Sequence, residues 1–281
     1  MEELTGRVAA ITGSGSGIGA ALALACADAG MDVALADIEA GKALAVAEEA
    51  RKRGRRAFAA GVDVRRQEDL LAFAERTFEE LGGCHLLCNN AGVLVLGLTH
   101  QRSLEDWQWV LSVNLWGAIH GVRAFVPRMI EQAQGGHLVN TASIAGLVPA
   151  AANGTYTASK YAVVGLSECL RLDLAPHGIG VSVLCPGPVK TGILKSERNR
   201  PAELGASKLS REDVLAVMRS GDAANQTFIE PERAAAAVLE AVRRDEPYVI
   251  THPGSRGLVE ERFRGILAAY DAARARNPEA P

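Results

Sequence analysis

Arg7-Val-Ala-Ala-Ile-Thr-Gly-Ser-Gly-Ser-Gly-Ile-Gly19 is the stretch whose reading decides the fold. Arg7 to Thr12 is a short apolar run that stops at glycine-rich sequence, which predicts a buried strand. Gly13 to Gly19 is then a turn, and Ala20 to Ala29 reads as the helix that follows, with Gly30 as its stop. A strand, a glycine turn and a helix set backbone N–H groups at the positive end of a helix, where a pyrophosphate can sit. The glycines parse two ways. Gly15-x-Gly17-x-x-Ala20 is the alanine variant of the common dinucleotide fingerprint, and Thr12-Gly13-x-x-x-Gly17-x-Gly19 is another spacing. Both point to the same ligand.

The rhythm continues beyond the turn. Strands are expected at Asp32 to Ala36, Ala57 to Val62, His85 to Cys88, Gly136 to Ala142, Gly180 to Cys185 and Tyr248 to Thr251. Helices are expected between them, at Ala40 to Arg53, Gln67 to Leu81, Ser103 to about Gln134, around Tyr156, and at Glu230 to Arg244. Ser103 with Asp106 three residues on resembles a capping box. Strands alternating with helices imply an α/β fold. The expected form is a Rossmann-type doubly wound sheet of about seven mainly parallel strands, with helices on both faces. No repeat or linker interrupts the chain, so residues 1–281 are taken as a single domain. Two stretches depart from the rhythm: a polar segment at 192–227, read as an insertion or lid with a short helix at Asp213 to Met218, and a C-terminal helical extension at about 258–281.

Composition narrows the function classes. The net charge of -3 argues against a nucleic-acid surface. The basic run Arg51 to Arg56 sits at an expected helix end, where cations suit the helix dipole. The five cysteines are scattered and lack metal-ligand spacing, so neither a disulfide framework nor a metal site is expected. No apolar run is long enough to span a membrane, and Met1 to Thr5 does not read as a signal peptide. A cytoplasmic protein is the default.

Two further features carry chemistry. Tyr156 and Lys160, four residues apart, share one face of a helix. A phenol titrates near 10 and is a poor base at neutral pH, but a neighbouring ammonium favours the phenolate. The two are a candidate proton-transfer device. Asp37 ends the second strand, where a carboxylate can accept from the ribose 2′-hydroxyl of NAD and would repel the 2′-phosphate of NADP. Ser14, Ser16 and Ile38 bring no positive charge to offset it.

Thr12-Gly13-x-x-x-Gly17-x-Gly19, Asn89-Asn-Ala-Gly92, Asn114, Ser143, Tyr156-x-x-x-Lys160 and Pro186-Gly-Pro-Val-Lys-Thr191 stand in the order of one known family. The chain resembles the short-chain dehydrogenase/reductase family, in its shorter, non-extended branch, closely over residues 5 to 191. The resemblance implies that Tyr156 exchanges the proton of a substrate hydroxyl. Lys160 would lower the phenol pKa and bind the nicotinamide ribose, and Ser143 would hydrogen-bond the substrate oxygen. Thr141 is a weaker rival for that last role. Asn114 would help hold a water that links Lys160 to solvent. The cofactor would touch Gly13, Ser16, Gly17, Ile18 and Gly19 at the turn, and Asp37 at the ribose. Asp63 and Val64 would border the adenine, and Asn90, Ala91 and Gly92 would lie on the adenosine side. Pro186, Gly187, Val189 and Thr191 would lie by the nicotinamide carboxamide, with Tyr156 and Lys160.

The implied reaction is hydride transfer between NAD and a hydrophobic secondary alcohol or its ketone. Leu94, Val95, Leu96, Leu147, Val148 and Pro149 are candidates to line its pocket, with 192–227. A homotetramer or homodimer is implied, packed through the helices of Asn114 and Tyr156, where Leu111, Leu115, Leu166 and Leu170 could serve. Alternatives are an NAD(H)-sensing protein without turnover and an NADP-dependent carbonyl reductase. The intact Ser143, Tyr156 and Lys160 argue against a sensor.

Overall fold

In a computed structural model, the structure describes residues 1–219 and 227–277. The parts of the expected lid at 220–226 and of the C-terminal extension at 278–281 lie outside the described residues. Contacts separate Met1–Thr251 from a second unit that begins at His252, where the sequence reading placed an extension of one domain.

The first unit is built on a parallel sheet. Its strands are β1 (Val8–Thr12), β2 (Asp32–Asp37), β3 (Ala57–Gly61), β4 (Leu86–Asn89), β5 (Gly136–Thr141), β6 (Ile179–Cys185) and β7 (Tyr248–Ile250). Their order is β3-β2-β1-β4-β5-β6-β7, and all pairs are parallel. The helices are α1 (Gly17–Asp28), α2 (Ala40–Lys52), α3 (Gln67–Leu81), α4 (Leu104–Leu111), α5 (Gly117–Gln132), α6 (Gly154–Leu174), α7 (Arg211–Arg219) and α8 (Pro231–Arg244).

The two-residue period of a strand sorts side chains to opposite faces. Ala9, Ile11, Val33 and Leu35 enter the core under α1, α2 and α8. Val8, Ala10, Ala34 and Ala36 enter the core under α3, α4 and α5. Burial on both faces is why these strands read as continuous apolar runs rather than alternating ones. The strand order reverses between β1 and β4, so the chain leaves β1 toward one edge and β4 toward the other. In open α/β sheets a ligand crevice forms outside the carboxyl ends of the strands at such a point.

The helix expected from Ser103 to Gln134 differs in its middle. Ser103 caps α4 as expected, its hydroxyl accepting from the Asp106 N–H at 3.2 Å. Between α4 and α5, however, Ser112–Trp116 forms a π turn. One residue per turn is gained there, and Asn114 lies inside it. Such turns gather at functional sites.

In the second unit, α9 (Arg256–Arg276) matches the expected terminal helix and carries exposed Phe263, Leu267 and Tyr270. No helix among the described residues is long and apolar enough to cross a membrane. The cysteines are free: Cys26, Cys84, Cys88 and Cys185 are buried, and Cys169 is exposed.

Candidate active site

A cleft of about 810 Å³ opens at the carboxyl ends of the strands. The glycine turn forms its floor. Gly13 takes φ +64°, a conformation that suits glycine, and a Cβ there would stand 2.8 Å from the Ala91 Cα. A Cβ on Gly19 would stand 2.0 Å from the Gly13 carbonyl oxygen, so only glycine lets α1 start this close to β1. Ser16 sits at the N-cap of α1 without a side-chain cap, and the first turn of the helix holds no acidic residue. Ser16, Gly17 and Ile18 line the cleft. The start of α1 is therefore uncapped and positive, and this donor set fits a dinucleotide pyrophosphate.

Asp37 ends β2 at the same cleft. Its Oδ2 accepts from the Gly15 N–H at 2.8 Å and its Oδ1 from the Glu39 N–H at 2.9 Å. Those bonds aim the carboxylate and leave it acceptor capacity for a ribose diol. Asp63 and Val64 line the cleft, as does Arg65. The Asp63 carboxylate is paired with Arg65 at 2.6 Å, and the Val64 carbonyl meets the His120 ring at 2.9 Å. Asn90 lines the cleft, and its side chain also braces it. Its Nδ2 donates to the carbonyls of Thr12 (3.1 Å) and Gly13 (3.3 Å), and its Oδ1 accepts from the Thr141 hydroxyl at 3.3 Å. Asn90 ties β4 to the turn and to β5, and it uses up the Thr141 hydroxyl. Ala91 and Gly92 line the cleft beside it.

Ser143, Tyr156 and Lys160 meet in this cleft. Ser143 begins a 3-10 turn just past β5. Its hydroxyl accepts from the Ala145 N–H at 3.1 Å and donates to the Pro186 carbonyl at 3.4 Å. Tyr156 and Lys160 project from the first two turns of α6. The Lys160 amine lies 5.4 Å from the centre of the Tyr156 ring and donates to the Thr141 carbonyl at 2.8 Å. Asn114 reaches the same place from the π turn. Its Oδ1 accepts from the Val93 N–H at 2.8 Å, and its Nδ2 donates to the Val93 carbonyl and the Ser159 hydroxyl, both at 3.0 Å. A Cβ on Gly92 would approach Asn114 Oδ1 to 3.5 Å and the Lys160 amine to 3.6 Å. Asn114 thus fixes the chain after β4 against α6.

Burial governs the charges here. Burial pushes the Tyr156 phenol up to about 12, and the Ser143 hydroxyl pulls the other way. Burial likewise pulls Lys160 down to about 8. The downward pull expected of Lys160 on the phenol does not figure in the protein alone, where burial dominates. Both groups share one apolar-walled site, which disfavours either charge.

The chain after β6 forms the outer wall. Pro186, Gly187, Val189 and Thr191 line the cleft, with the Thr191 methyl set against the Gly17 Cα hydrogens. Beyond them the wall is Ile193, Leu194, Ser196, Arg198 and Asn199, closed by Phe228 and by Glu232 of α8. The sequence marks the segment but not these residues. Leu94, Val95, Leu96, Leu147, Val148 and Pro149, expected in the pocket, are not in the cleft lining. Val95 is buried in the core with Trp109, and Leu147 packs beside Val163 and Val183. Val93, Trp109 and Val113 line the cleft instead. Strand-end apolar residues look alike in sequence whether they face core or cleft.

The outer wall is anchored by charges that spacing does not reveal. Arg102 pairs with Asp213 at 2.6 Å, and Arg200 with Asp106 at 2.8 Å, all four side chains being buried. Arg102 also stands 3.5 Å from Asp106, which joins the two pairs. Arg200 lies over the Trp109 ring, 5.1 Å from its centre. Amides of Ser210 and Leu98, the Ser210 hydroxyl and Arg102 hold the Asp213 carboxyl below its ordinary range, although burial works against them.

A family model described as short chain dehydrogenase matches residues 7–202. The chain is 34% identical over 269 residues to a C alpha-dehydrogenase of Sphingobium sp. (strain NBRC 103272 / SYK-6), an alignment covering 95% of this chain and 87% of the relative. It is 37% identical over 217 residues to 1-deoxy-11-beta-hydroxypentalenate dehydrogenase of Streptomyces exfoliatus, covering 76% and 79%. A solved short chain dehydrogenase/reductase from Burkholderia phymatum, in complex with NAD, superposes with a TM-score of 0.89 at 39% identity, covering 100% of this chain and 99% of that one. The chain belongs to the short-chain dehydrogenase/reductase family of oxidoreductases.

Proposed function

We propose that the protein interconverts a hydrophobic secondary alcohol and its ketone with NAD, and that Tyr156 is the group that exchanges the hydroxyl proton. The observation that carries this reading is the meeting of Ser143, Tyr156 and Lys160 beside a glycine turn built for a pyrophosphate. A bound nicotinamide would accept or supply the hydride. The chain's own residues do the rest. The amides at the start of α1 hold the diphosphate, and Asp37 accepts from the adenosine ribose. The Ser143 hydroxyl fixes the substrate oxygen next to the Tyr156 phenol. The Lys160 amine, held at the Thr141 carbonyl, keeps further N–H donors for the nicotinamide ribose. Proton exchange by a placed side chain is worth roughly 10²–10⁴-fold.

NAD is favoured over NADP because the Asp37 carboxylate would repel a 2′-phosphate. The nearby cations do not offset it, since Lys42 and Arg198 are both paired with Glu39. The relative solved with NAD supports the same choice. An apolar substrate suits Val93, Val113, Ile193, Leu194 and Phe228 in the lining, the last two being exposed at the cleft. One relative's name gives a hydroxylated acid, 1-deoxy-11-beta-hydroxypentalenate, as what it dehydrogenates. Assembly as a homodimer or homotetramer through the helical stretches of Asn114 and Tyr156 belongs to the same reading. Trp116 beside Asn114 and Leu172 of α6 are large apolar side chains left exposed there.

A panel of hydrophobic secondary alcohols with NAD⁺ and with NADP⁺, followed at the absorbance of the reduced nicotinamide, tests the reading. Turnover with NAD⁺ on some members is expected. Tight NAD⁺ binding without turnover across a broad panel would point instead to a sensor.

A further inference from the structure

The helix α9 (Arg256–Arg276) is 21 residues long, about 31 Å at the usual rise, and none of its residues is buried. Val259, Phe263, Ile266, Leu267 and Tyr270 recur every three or four residues, with Ile266 and Leu267 side by side, so they form one stripe along it. Phe263 is 51% exposed, Leu267 62% and Tyr270 72%. Large apolar side chains gathered in one exposed stripe mark a surface that meets another molecule.

The charges beside the stripe say which molecule. Glu260 and Arg274 stand seven residues before and after Leu267, and a seven-residue step returns to the same face of a helix. Arg264 and Asp271, also seven apart, lie three before and four after Leu267 on the same edge of the stripe. Acid and base are thus exchanged about the middle of the helix, which makes it complementary to itself in one orientation. A second copy laid antiparallel about a two-fold at Leu267 brings Glu260 to Arg274 of that copy and Arg264 to its Asp271. Symmetry makes each of these contacts twice. Phe263 then faces Tyr270 of the second copy, and Ile266 and Leu267 of both copies meet at the centre. A parallel pairing would set Glu260 on Glu260 and Arg274 on Arg274. Within the chain, Glu260 is paired with Arg256 one turn away at 2.6 Å, and Arg264, Asp271 and Arg274 have no ion pair among the described residues. An anionic lipid surface also suits an apolar stripe flanked by arginines. Glu260 and Asp271 border this stripe, however, and would be pressed against such a surface, so a second copy fits better.

We propose that α9 is a self-association surface, through which two copies of the chain pair antiparallel about an axis at Leu267. This surface is separate from the helical stretches of Asn114 and Tyr156, and the pairing is independent of what fills the cleft. Two single helices bury less than a standard interface, so the contact should part on dilution.

Sedimentation of the full chain over a range of concentrations reads the pairing as mass, and the melting curve of each variant checks that it folds. Leu267→Asp sets two like charges on the axis and should remove the concentration-dependent doubling of mass. Glu260→Arg and Arg274→Glu should each move its midpoint to about tenfold higher concentration or more, since symmetry counts the lost pair twice. The two changes together should restore it, because the pair is remade with its charges exchanged. In a Cys169→Ser background, which removes the exposed thiol, Leu267→Cys should give a disulfide-linked dimer on mild oxidation. Arg276→Cys, about two and a half turns from the axis, should not. A Leu267→Asp protein of the same mass as the unaltered protein at every concentration would overturn the pairing. So would charge reversals that fail to restore each other. Unaltered protein that stays a monomer and floats with phosphatidylserine vesicles would overturn it in favour of a lipid surface.

Discussion

The inner and outer walls of the cleft are made of different kinds of chain. The inner wall is strand ends and helix starts: the glycine turn, Asp37, Ala91, Ser143 and the first turns of α6. Their positions follow from backbone pairing in the sheet, and their side chains bond mostly to nearby backbone. The outer wall, Ile193 to Asn199, belongs to no strand. It is held by side-chain charges drawn from distant points: Arg102 to Asp213 spans 111 residues, and Arg198 to Glu39 spans 159. A sheet fixes the inner wall, and charged tethers fix the outer one, where they can be replaced without disturbing the sheet.

The largest expected break in that contrast is at the buried tether. Asp213→Ala leaves the Arg102 guanidinium buried with its closest carboxylate gone, a loss of about 3–5 kcal/mol in comparable cases. Chemical denaturation should show it, and substrate KM should rise far more than the NADH dissociation constant. Equal damage to both would mean that the two walls are one cooperative piece. Gly19→Ala is the matching break on the inner wall. A methyl 2.0 Å from the Gly13 oxygen must push α1 away from β1, at about 1–3 kcal/mol, and NADH binding should weaken while the outer wall stays in place. Limited proteolysis of the 192–219 region would check the second half of that statement.

Asp37→Ala sharpens the contrast within the inner wall. It removes the charge that opposes a 2′-phosphate, so the preference for NAD⁺ over NADP⁺, as a ratio of kcat/KM, should fall by roughly tenfold or more. A further effect within the inner wall is on stability. Lys160 titrates at about 8 in the folded protein against 10.5 for the free side chain. The unfolded chain therefore binds more protons between those values, and stability rises with pH across that window. Below it, the folded protein carries a disfavoured buried ammonium. Lys160→Met should abolish turnover yet raise Tm at neutral pH, by about 2–4 °C for each kcal/mol of relief. The gain should shrink as pH rises past 8 and fade near 10.5.

The same division explains what was legible in the sequence. Arg7 to Gly19 announces β1, the turn and α1 because local rules set all three. The spacing of Tyr156 and Lys160 announces a shared helix face for the same reason. The π turn at Ser112–Trp116 is not legible, since it carries no cap or breaker residue that would mark it in the sequence. Asn90 lines the cleft where the cofactor is expected and also braces the turn through its side-chain amide, a second task that the motif alone does not reveal. Nothing local marks Arg102, Arg200 or Asp213, because a charged residue in a polar segment reads as solvated until the fold buries it. The apolar residues offered for the pocket show the same limit: Val93 and Val95 are both buried in one core cluster, and of the two only Val93 also lines the cleft.

The central claim is that the Tyr156 phenol trades the substrate proton beside Lys160, in a cleft that binds the cofactor independently of that phenol. Tyr156→Phe keeps the ring and removes only the hydroxyl. Measured together on one preparation, turnover of the best alcohol should fall by roughly 10²–10⁴-fold, while the NADH dissociation constant stays within about threefold. Turnover close to that of the unaltered protein, with NADH still bound, would contradict the account.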